Sequence, residues 1–258
     1  MSMLSYRRSG PESQCPLVLI HALPLNSHMW DAVIDELADI DVVTPDAPGF
    51  GDSPAGVEFG EPSIASYAQA LYELTQRLGV ERLVLGGLSM GGAVCAEFVA
   101  QYPQMVAGLA LMDTNINADT PQQRENRLRI AEIAESGYGY SAVEQWSETM
   151  ISSEASAQLR AQIDAELKAL PNAGLAYQQR AMAARVDRAD CVARVEGPVF
   201  LGRGDQDPTC SAEYLMNLAL SARSPRIVEF SPASHFSANE QPSQVANFLR
   251  SLYEASTK

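Results

Sequence analysis

The segment that most constrains the fold is Gly87–Gly91, which reads Gly-Leu-Ser-Met-Gly. It stands between an apolar run at 82–85 and a helix-like run at 92–101. A serine between two glycines at a strand-to-helix junction predicts a turn so sharp that side chains at the glycine positions would collide with neighbouring elements. The serine at the apex of such a turn takes a strained backbone conformation. We therefore expect the Ser89 hydroxyl to stand above one edge of a sheet, with a helix N-terminus behind it.

Short apolar runs alternate with longer segments of helical periodicity along most of the chain. Buried parallel strands are predicted at 17–20, 41–44, 83–85, 106–112, 199–201 and 227–230. Helices are predicted at 30–38, 64–78, 92–101, 212–222 and 244–253. A single strand or a small hairpin fits around residues 4–8. The alternation predicts an α/β fold with a doubly wound, mostly parallel sheet.

The stretch from residue 121 to residue 188 breaks this alternation because it contains no strand-like run. Helical patterns occur at 124–135, 141–150, 154–170 and 175–186. We predict a helical cap at 116–189, inserted into a core formed by 1–115 and 190–258. Asp119 or Thr120 is predicted to cap a helix whose first residue is Pro121.

Charge and composition exclude some classes of partner. The 258 residues include 18 basic and 32 acidic side chains, a net charge of −14. The electric field of a protein with this negative charge repels nucleic acid and anionic membrane surfaces, so neither is expected as a partner. The charge also disfavours a strongly anionic substrate, unless basic residues line the pocket. The oligomeric state is left open.

The sequence also predicts where the chain resides. The N-terminal residues do not resemble a signal peptide, and no apolar run approaches the ~20 residues that span a bilayer. The four cysteines show no spacing typical of a disulfide framework or a metal site. We expect a cytoplasmic protein with scattered thiols.

A serine needs a base to become a nucleophile, and the base needs an acid that orients it. Of the three histidines, His235 follows the last predicted strand, where α/β sheets place functional groups. Asp205 and Asp207 follow the strand at 199–201, and either could orient the imidazole. Asp113, at the end of the strand at 106–112, is a third candidate acid. The chain order Ser, Asp, His is the one used by a strand-turn-helix serine of this kind.

A serine that attacks a carbonyl also needs donors for the oxyanion that forms. The backbone N–H of Met90 is one candidate, since it follows Ser89 at a helix N-terminus. The backbone N–H of Leu23 is the second, in the loop after the strand at 17–20, where Pro24 has no N–H. His21 is expected to organise this loop. The histidines are separated along the chain, so no metal site and no cofactor are predicted.

Several segments together resemble the α/β-hydrolase family, and in particular its esterase and 3-oxoadipate enol-lactonase branch. They span nearly the whole chain: His21–Pro24, Asp46–Ser53, Gly87–Gly91, Gly204–Pro208 and Ser234–Phe236 followed by Glu240-Gln241-Pro242. The resemblance implies a serine hydrolase that cleaves carboxylic esters or lactones through an acyl-enzyme on Ser89. It also favours Asp207 over Asp205, because in this branch a strand-opening proline leads to Gly-x-x-Asp followed by Pro. The family usually has glycine where this chain has Ala22, which would shift the oxyanion loop if that backbone requires glycine.

A substrate pocket is expected between core and cap. In addition to the oxyanion-loop residues, the predicted lining is Leu25, Trp146, Met150, Met182 and Phe236. An apolar pocket of this kind favours a small or medium ester or lactone as the small-molecule partner. The same three catalytic groups would also serve a C–C bond hydrolase, an amidase or a metal-free perhydrolase. A small-molecule receptor that turns over slowly is the alternative from outside the enzymes.

Overall fold

A computed structural model describes residues 2–258 of the chain. Within them, seven strands form one sheet: β1 (Tyr6–Ser9), β2 (Leu17–Ile20), β3 (Val42–Pro45), β4 (Leu83–Leu88), β5 (Val106–Met112), β6 (Val199–Gly204) and β7 (Arg226–Phe230). Their order across the sheet is β1-β3-β2-β4-β5-β6-β7. All neighbours are parallel except β1, which pairs antiparallel with β3 at the edge. The prediction of a mostly parallel α/β sheet is therefore confirmed.

The central strands are apolar on both faces because helices cover both sides of the sheet. Every residue of β2, β4 and β5 is buried, as expected for strands inside a doubly covered parallel sheet. The edge strand β1 is only partly buried. The segment around residues 4–8 thus forms one strand, at Tyr6–Ser9, and no hairpin.

Eleven α-helices occur within residues 2–258. They are α1 (Asp31–Asp35), α2 (Ile64–Arg77), α3 (Met90–Gln101), α4 (Pro121–Glu135), α5 (Gly139–Val143), α6 (Trp146–Thr149), α7 (Ala157–Ala169), α8 (Asn172–Ala183), α9 (Ala212–Ala219), α10 (Ser237–Glu240) and α11 (Pro242–Ser256). None of them is long and apolar enough to cross a membrane.

Helices α4 to α8 all lie between β5 and β6, and no strand interrupts them in this part of the described chain. The first of them begins at Pro121, as the predicted helix cap requires and three residues before the helical periodicity at 124–135. The Thr120 hydroxyl accepts a hydrogen bond from the Gln123 amide, and the Gln123 side chain accepts one from the Thr120 amide. This reciprocal capping box fixes the helix start and leaves Asp119 free for another role. The boundaries 116–189 for a separate cap stay a prediction.

Two of the differences between the predicted and the observed helices have a local cause. The segment 141–150 forms two short helices, α5 and α6, because the chain leaves helical hydrogen bonding between Val143 and Trp146. The segment 30–38 is helical only at Asp31–Asp35, preceded by a 3-10 turn at Ser27–Trp30. The Asn26 side chain caps that turn by accepting from the His28 amide, so the turn starts before the apolar periodicity does.

The topology gathers four polar side chains at one edge of the sheet. Ser89 follows β4, Asp113 follows β5, Asp207 lies three residues beyond β6, and His235 follows β7. These are the carboxyl ends of four neighbouring parallel strands, where ligands bind in open α/β sheets. Cys95, Cys191 and Cys210 are buried free thiols, and Cys15 is partly exposed.

Candidate active site

The turn at Ser89 has the strained geometry that its glycines predict. Ser89 has φ 56° and ψ −116°, a conformation that L-residues rarely adopt. A methyl group at Gly87 would overlap the carbonyl of Gly91, and one at Gly91 would overlap the carbonyl of Ile20. The Thr114 hydroxyl donates to the Ser89 carbonyl oxygen at 2.7 Å. The surrounding backbone therefore holds the serine in one position, with its side chain partly accessible.

The imidazole of His235 lies beside this serine. The Nε2 atom is 2.8 Å from Ser89 Oγ. The other ring nitrogen, Nδ1, is 3.2 Å from both carboxylate oxygens of Asp207 and 2.9 Å from Thr209 Oγ1. Since a carboxylate only accepts hydrogen bonds, Nδ1 carries the proton and Nε2 accepts from the serine hydroxyl. The ring therefore has the tautomer that a base for Ser89 requires.

Asp207 is held as an anion although it is enclosed. Its side chain has no exposed surface. Burial by itself raises its pKa, but the hydrogen bond and charge of His235 and two hydrogen bonds from Thr209 outweigh this effect, so the pKa is lowered. The Thr209 amide and hydroxyl both donate to Asp207 Oδ1 at 2.8 Å. Sequence reasoning missed Thr209, although a threonine two residues after an aspartate is a common turn signal.

Asp205 has a different position. Its carboxylate accepts from the Ser231 hydroxyl at 2.6 Å and from the Ala233 amide at 3.0 Å. These bonds, led by the one from Ser231, lower its pKa. Asp205 thus fixes the loop that carries His235 and makes no hydrogen bond to the imidazole within the described residues.

The third candidate acid, Asp113, is fully buried and has φ 47°. It accepts from the Gly204 amide at 2.6 Å and from the Ser237 hydroxyl. Burial, and then the negative charge of Asp207, raise the pKa of Asp113 well above its usual value. Its carboxyl group bridges the ends of β5 and β6 and makes no hydrogen bond to the imidazole of His235 within the described residues.

The two predicted oxyanion donors lie at the same cavity as the serine. Leu23 and Met90 both line it, and neither backbone N–H donates to an acceptor within residues 2–258. Ala22 does not have a positive φ, so the alanine fits its position without the strain that a glycine-only conformation would cause. The backbone of this loop is therefore compatible with the residue that this chain carries.

His21 lies in the same loop and is fully buried. Its Nδ1 is 2.9 Å from the Ala22 carbonyl oxygen, and its Nε2 accepts from the Ala47 amide at 2.9 Å. Burial lowers its pKa, which keeps the ring neutral. His21 connects the loop after β2 to the loop after β3, in agreement with the expected organising role.

The cavity above Ser89 has a volume of about 210 Å³ and is lined by residues at the ends of the sheet strands and by residues of, or next to, helices α4 to α8. Of the predicted lining, Trp146, Met150 and Met182 border it. Leu25 does not: it is buried beside a separate depression near Leu170. Phe236 does not either, because its ring is fully buried at 5.6 Å from the imidazole of His235.

The cavity is more polar than the sequence predicts. Besides the groups already described, its lining includes Asn115, Gln123, Asn126, Arg127, Gln179 and Arg185. These residues come from α4, α8 and the segments next to them. Their helical periodicity shows which segments are helices but not which face of each helix meets Ser89, so sequence reasoning could not find them.

The segment that contains α4 to α8 also contacts the loop that carries His235. The His235 amide donates to the Met150 carbonyl oxygen at 3.1 Å. The Glu240 side chain accepts from the Ser152 amide at 2.7 Å and from the Ser234 amide at 2.8 Å. One carboxylate thus joins the connection after α6 to the residue before His235. The position of the imidazole consequently depends on this helical segment as well as on the sheet.

Two solved structures of other proteins share this fold. An esterase from Thermogutta terrifontis, solved with malate bound, is 30% identical with a TM-score of 0.90, covering 98% of this chain and 94% of that one. The enol-lactonase from Burkholderia xenovorans is 22% identical with a TM-score of 0.83, covering 99% and 96%, and shows the fold alone.

Curated sequence relatives match over shorter segments. Lipase LipV of Mycobacterium tuberculosis is 30% identical over 122 residues, which are 47% of this chain and 46% of the lipase. An uncharacterised protein of Mycobacterium bovis is 36% identical over 105 residues, 40% of this chain and 29% of that protein. The chain thus spans less than half the length of these relatives. The family model described as alpha/beta hydrolase fold matches residues 16–172. From the sheet order, the turn at Ser89 and this match together, the chain belongs to the α/β-hydrolase family.

Proposed function

We propose that this protein is a serine hydrolase that cleaves carboxylic esters or lactones through an acyl-enzyme on Ser89. The observation that carries the proposal is the continuous chain of hydrogen bonds from Ser89 through His235 to Asp207. It joins a strained, accessible hydroxyl to a correctly protonated imidazole and a buried anion. Relatives named as esterases and lipases support the same class of reaction.

The reaction begins when the Ser89 oxygen attacks the carbonyl carbon while its proton passes to Nε2 of His235. The resulting imidazolium is stabilised by Asp207, whose carboxylate accepts from Nδ1. The negative charge that develops on the carbonyl oxygen is bound by the free N–H groups of Leu23 and Met90. Each such donor contributes about 10²–10³ in rate in serine hydrolases.

The tetrahedral intermediate collapses when the carbon–oxygen bond to the leaving group breaks. His235 returns its proton to the leaving alkoxide, which departs as an alcohol, or stays attached to the acyl chain if the substrate is a lactone. A water molecule then attacks the acyl-enzyme and gives its proton to His235, and the Ser89 oxygen regains a proton as the carboxylic acid leaves. Each step uses the residues already in contact.

Hydrolysis of p-nitrophenyl acetate and p-nitrophenyl butyrate tests the proposal. Wild type should release p-nitrophenol through many turnovers, and Ser89→Ala should lose at least about 10³-fold in kcat. A burst of one equivalent followed by near silence would instead indicate the slow-turnover receptor. Retained turnover in Ser89→Ala would show that another group performs the reaction.

A further inference from the structure

Two arginines of the helical segment line the cavity that contains Ser89. Arg127 lies on α4, and Arg185 lies just after α8. Both contact one carboxylate, that of Asp119: the Nε atom of Arg127 and the Nη2 atom of Arg185 are each 2.7 Å from it. A single negative charge therefore faces two positive ones, which leaves one positive charge in excess.

Two buried hydrogen-bond donors beside these arginine–carboxylate contacts have no acceptor within the described residues. The side chain of Arg185 is only 7% exposed, and its Nη1 atom has no partner within the described residues. The Nε2 atom of Gln179, whose Oε1 accepts from Arg127, is buried and also unpartnered. Buried donors without acceptors are rare because leaving them unpaired is costly. A ligand with acceptor oxygens would satisfy both groups.

The positive charge is local to this cavity. Burial, and then the positive charge of Arg127, lower the pKa of Arg185 to about 10, so it remains cationic at neutral pH. The other ionisable groups of the lining are Asp113 and His235. Asp113 is the one carboxyl group of the lining within residues 2–258, and burial raises its pKa, which disfavours a negative charge there. This contrasts with the net charge of −14 of the whole chain.

We propose that the cavity selects esters or lactones that carry a second group, a free carboxylate. Arg185 and Arg127 would bind that carboxylate, assisted by the Gln179 amide, while the ester carbonyl lies against Ser89. The cavity volume of about 210 Å³ favours a small substrate. This inference rests on the proposed function. It adds that the acyl part or the alcohol part of the substrate carries a carboxylate.

Matched substrate pairs test this selectivity. Monomethyl succinate and methyl 4-methylpentanoate have nearly the same shape, but only the first carries a carboxylate; monomethyl glutarate and methyl 5-methylhexanoate form the next longer pair. We expect wild type to favour the charged ester of at least one pair in kcat/KM. In Arg127→Gln and Arg185→Gln this charged-to-neutral ratio should fall about ten- to hundredfold, because charge-assisted hydrogen bonds are lost. Arg77→Gln removes a charge from the exposed C-terminal end of α2, which does not line the cavity, and should leave the ratio unchanged.

An unchanged ratio in both cavity variants, or no preference in wild type for either pair, overturns the inference and leaves the arginines as structural partners of Asp119. Calorimetric titration with succinate and glutarate separates this from a failure of the proposed function. If wild type cleaves no ester, binding of these dianions that Arg127→Gln weakens at least tenfold would still support the carboxylate site. Binding that is absent, or equal in wild type and Arg127→Gln, would reject the site. Should Arg185→Gln not fold, Arg127→Gln decides alone.

Discussion

Replacing Asp207 by asparagine changes the hydrogen-bonding character of one atom and little else. In wild type, Nδ1 of His235 faces three acceptor oxygens, two from Asp207 at 3.2 Å and one from Thr209 at 2.9 Å. Asparagine keeps Oδ1 as the acceptor for the Thr209 amide and hydroxyl, which turns its NH₂ group toward the imidazole. Two donors then face each other, so the proton moves to Nε2 and the ring no longer accepts from Ser89.

The expected loss in kcat is about 10³- to 10⁴-fold, comparable to the effect of the wrong tautomer in other serine hydrolases. At about 1.4 kcal/mol per factor of ten, this corresponds to roughly 4–6 kcal/mol of transition-state stabilisation. In this variant the Thr209 hydroxyl can still accept from Nδ1 of His235 and so retain part of the reactive tautomer. The expected loss in kcat therefore extends down to about 10³-fold.

The assay is p-nitrophenyl acetate hydrolysis, with the melting temperature as a check on folding. Asp205→Asn is the matched control, because its amide can still accept from the Ala233 amide and donate to Ser231, so kcat should change less than about tenfold. If Asp205→Asn lost activity while Asp207→Asn kept it, the assignment of the acid would be reversed. If both changes were mild, the tautomer argument would be refuted.

Three further predictions concern neighbouring residues. Thr209→Val should lower kcat about tenfold in the same assay because both an acceptor for His235 and a donor to Asp207 are lost, and Thr209→Ser should restore most of it. Asp113→Asn should gain stability relative to wild type as pH rises above about 4, the ordinary pKa of an aspartate, by up to about 1.4 kcal/mol per pH unit in urea unfolding. The native protein keeps a proton on Asp113 that the unfolded chain releases, so wild type loses stability over that range and asparagine does not. Ala22→Gly should change kcat/KM less than about threefold, because the φ of Ala22 is not one that requires glycine.

A specific result would contradict each of these three predictions. Equal rates in Thr209→Val and wild type would remove Thr209 from the positioning of the imidazole. A stability difference for Asp113→Asn that is constant with pH would mean that the native and unfolded states release this proton together. A large gain in activity for Ala22→Gly would show that the alanine displaces the Leu23 amide.

Local signals in the sequence predict the sheet and the groups at its edge. Gly87 and Gly91 predict the strained turn at Ser89 because any side chain there would collide with backbone. Asp207 and His235 follow apolar runs, and the end of each run shows where the strand ends. Each of these signals lies within a short stretch of sequence. Because parallel strands end at the same edge of the sheet, the signals also predict that Ser89, Asp207 and His235 lie close together.

The cavity lining could not be predicted in the same way. Arg127, Gln179 and Arg185 meet only because α4 and α8 pack against each other, with the Arg124 Nε donating to the Ala183 carbonyl oxygen. A helical pattern gives the type of element but not its rotation over the core. Leu25 and Phe236 lie outside the cavity lining for a related reason: proximity in sequence to Leu23 and His235 does not decide on which side of the loop a side chain packs.

The central claim is that the hydroxyl at the apex of the sharp turn is an activated nucleophile. Treatment with a fluorophosphonate probe, followed by mass spectrometry of the digested protein, tests it most directly. We expect one adduct per chain on the peptide containing Ser89, at least about 10²-fold slower labelling in His235→Ala, and none at this position in Ser89→Ala. An adduct on a different residue, or labelling of Ser89 that does not depend on His235, would contradict the account.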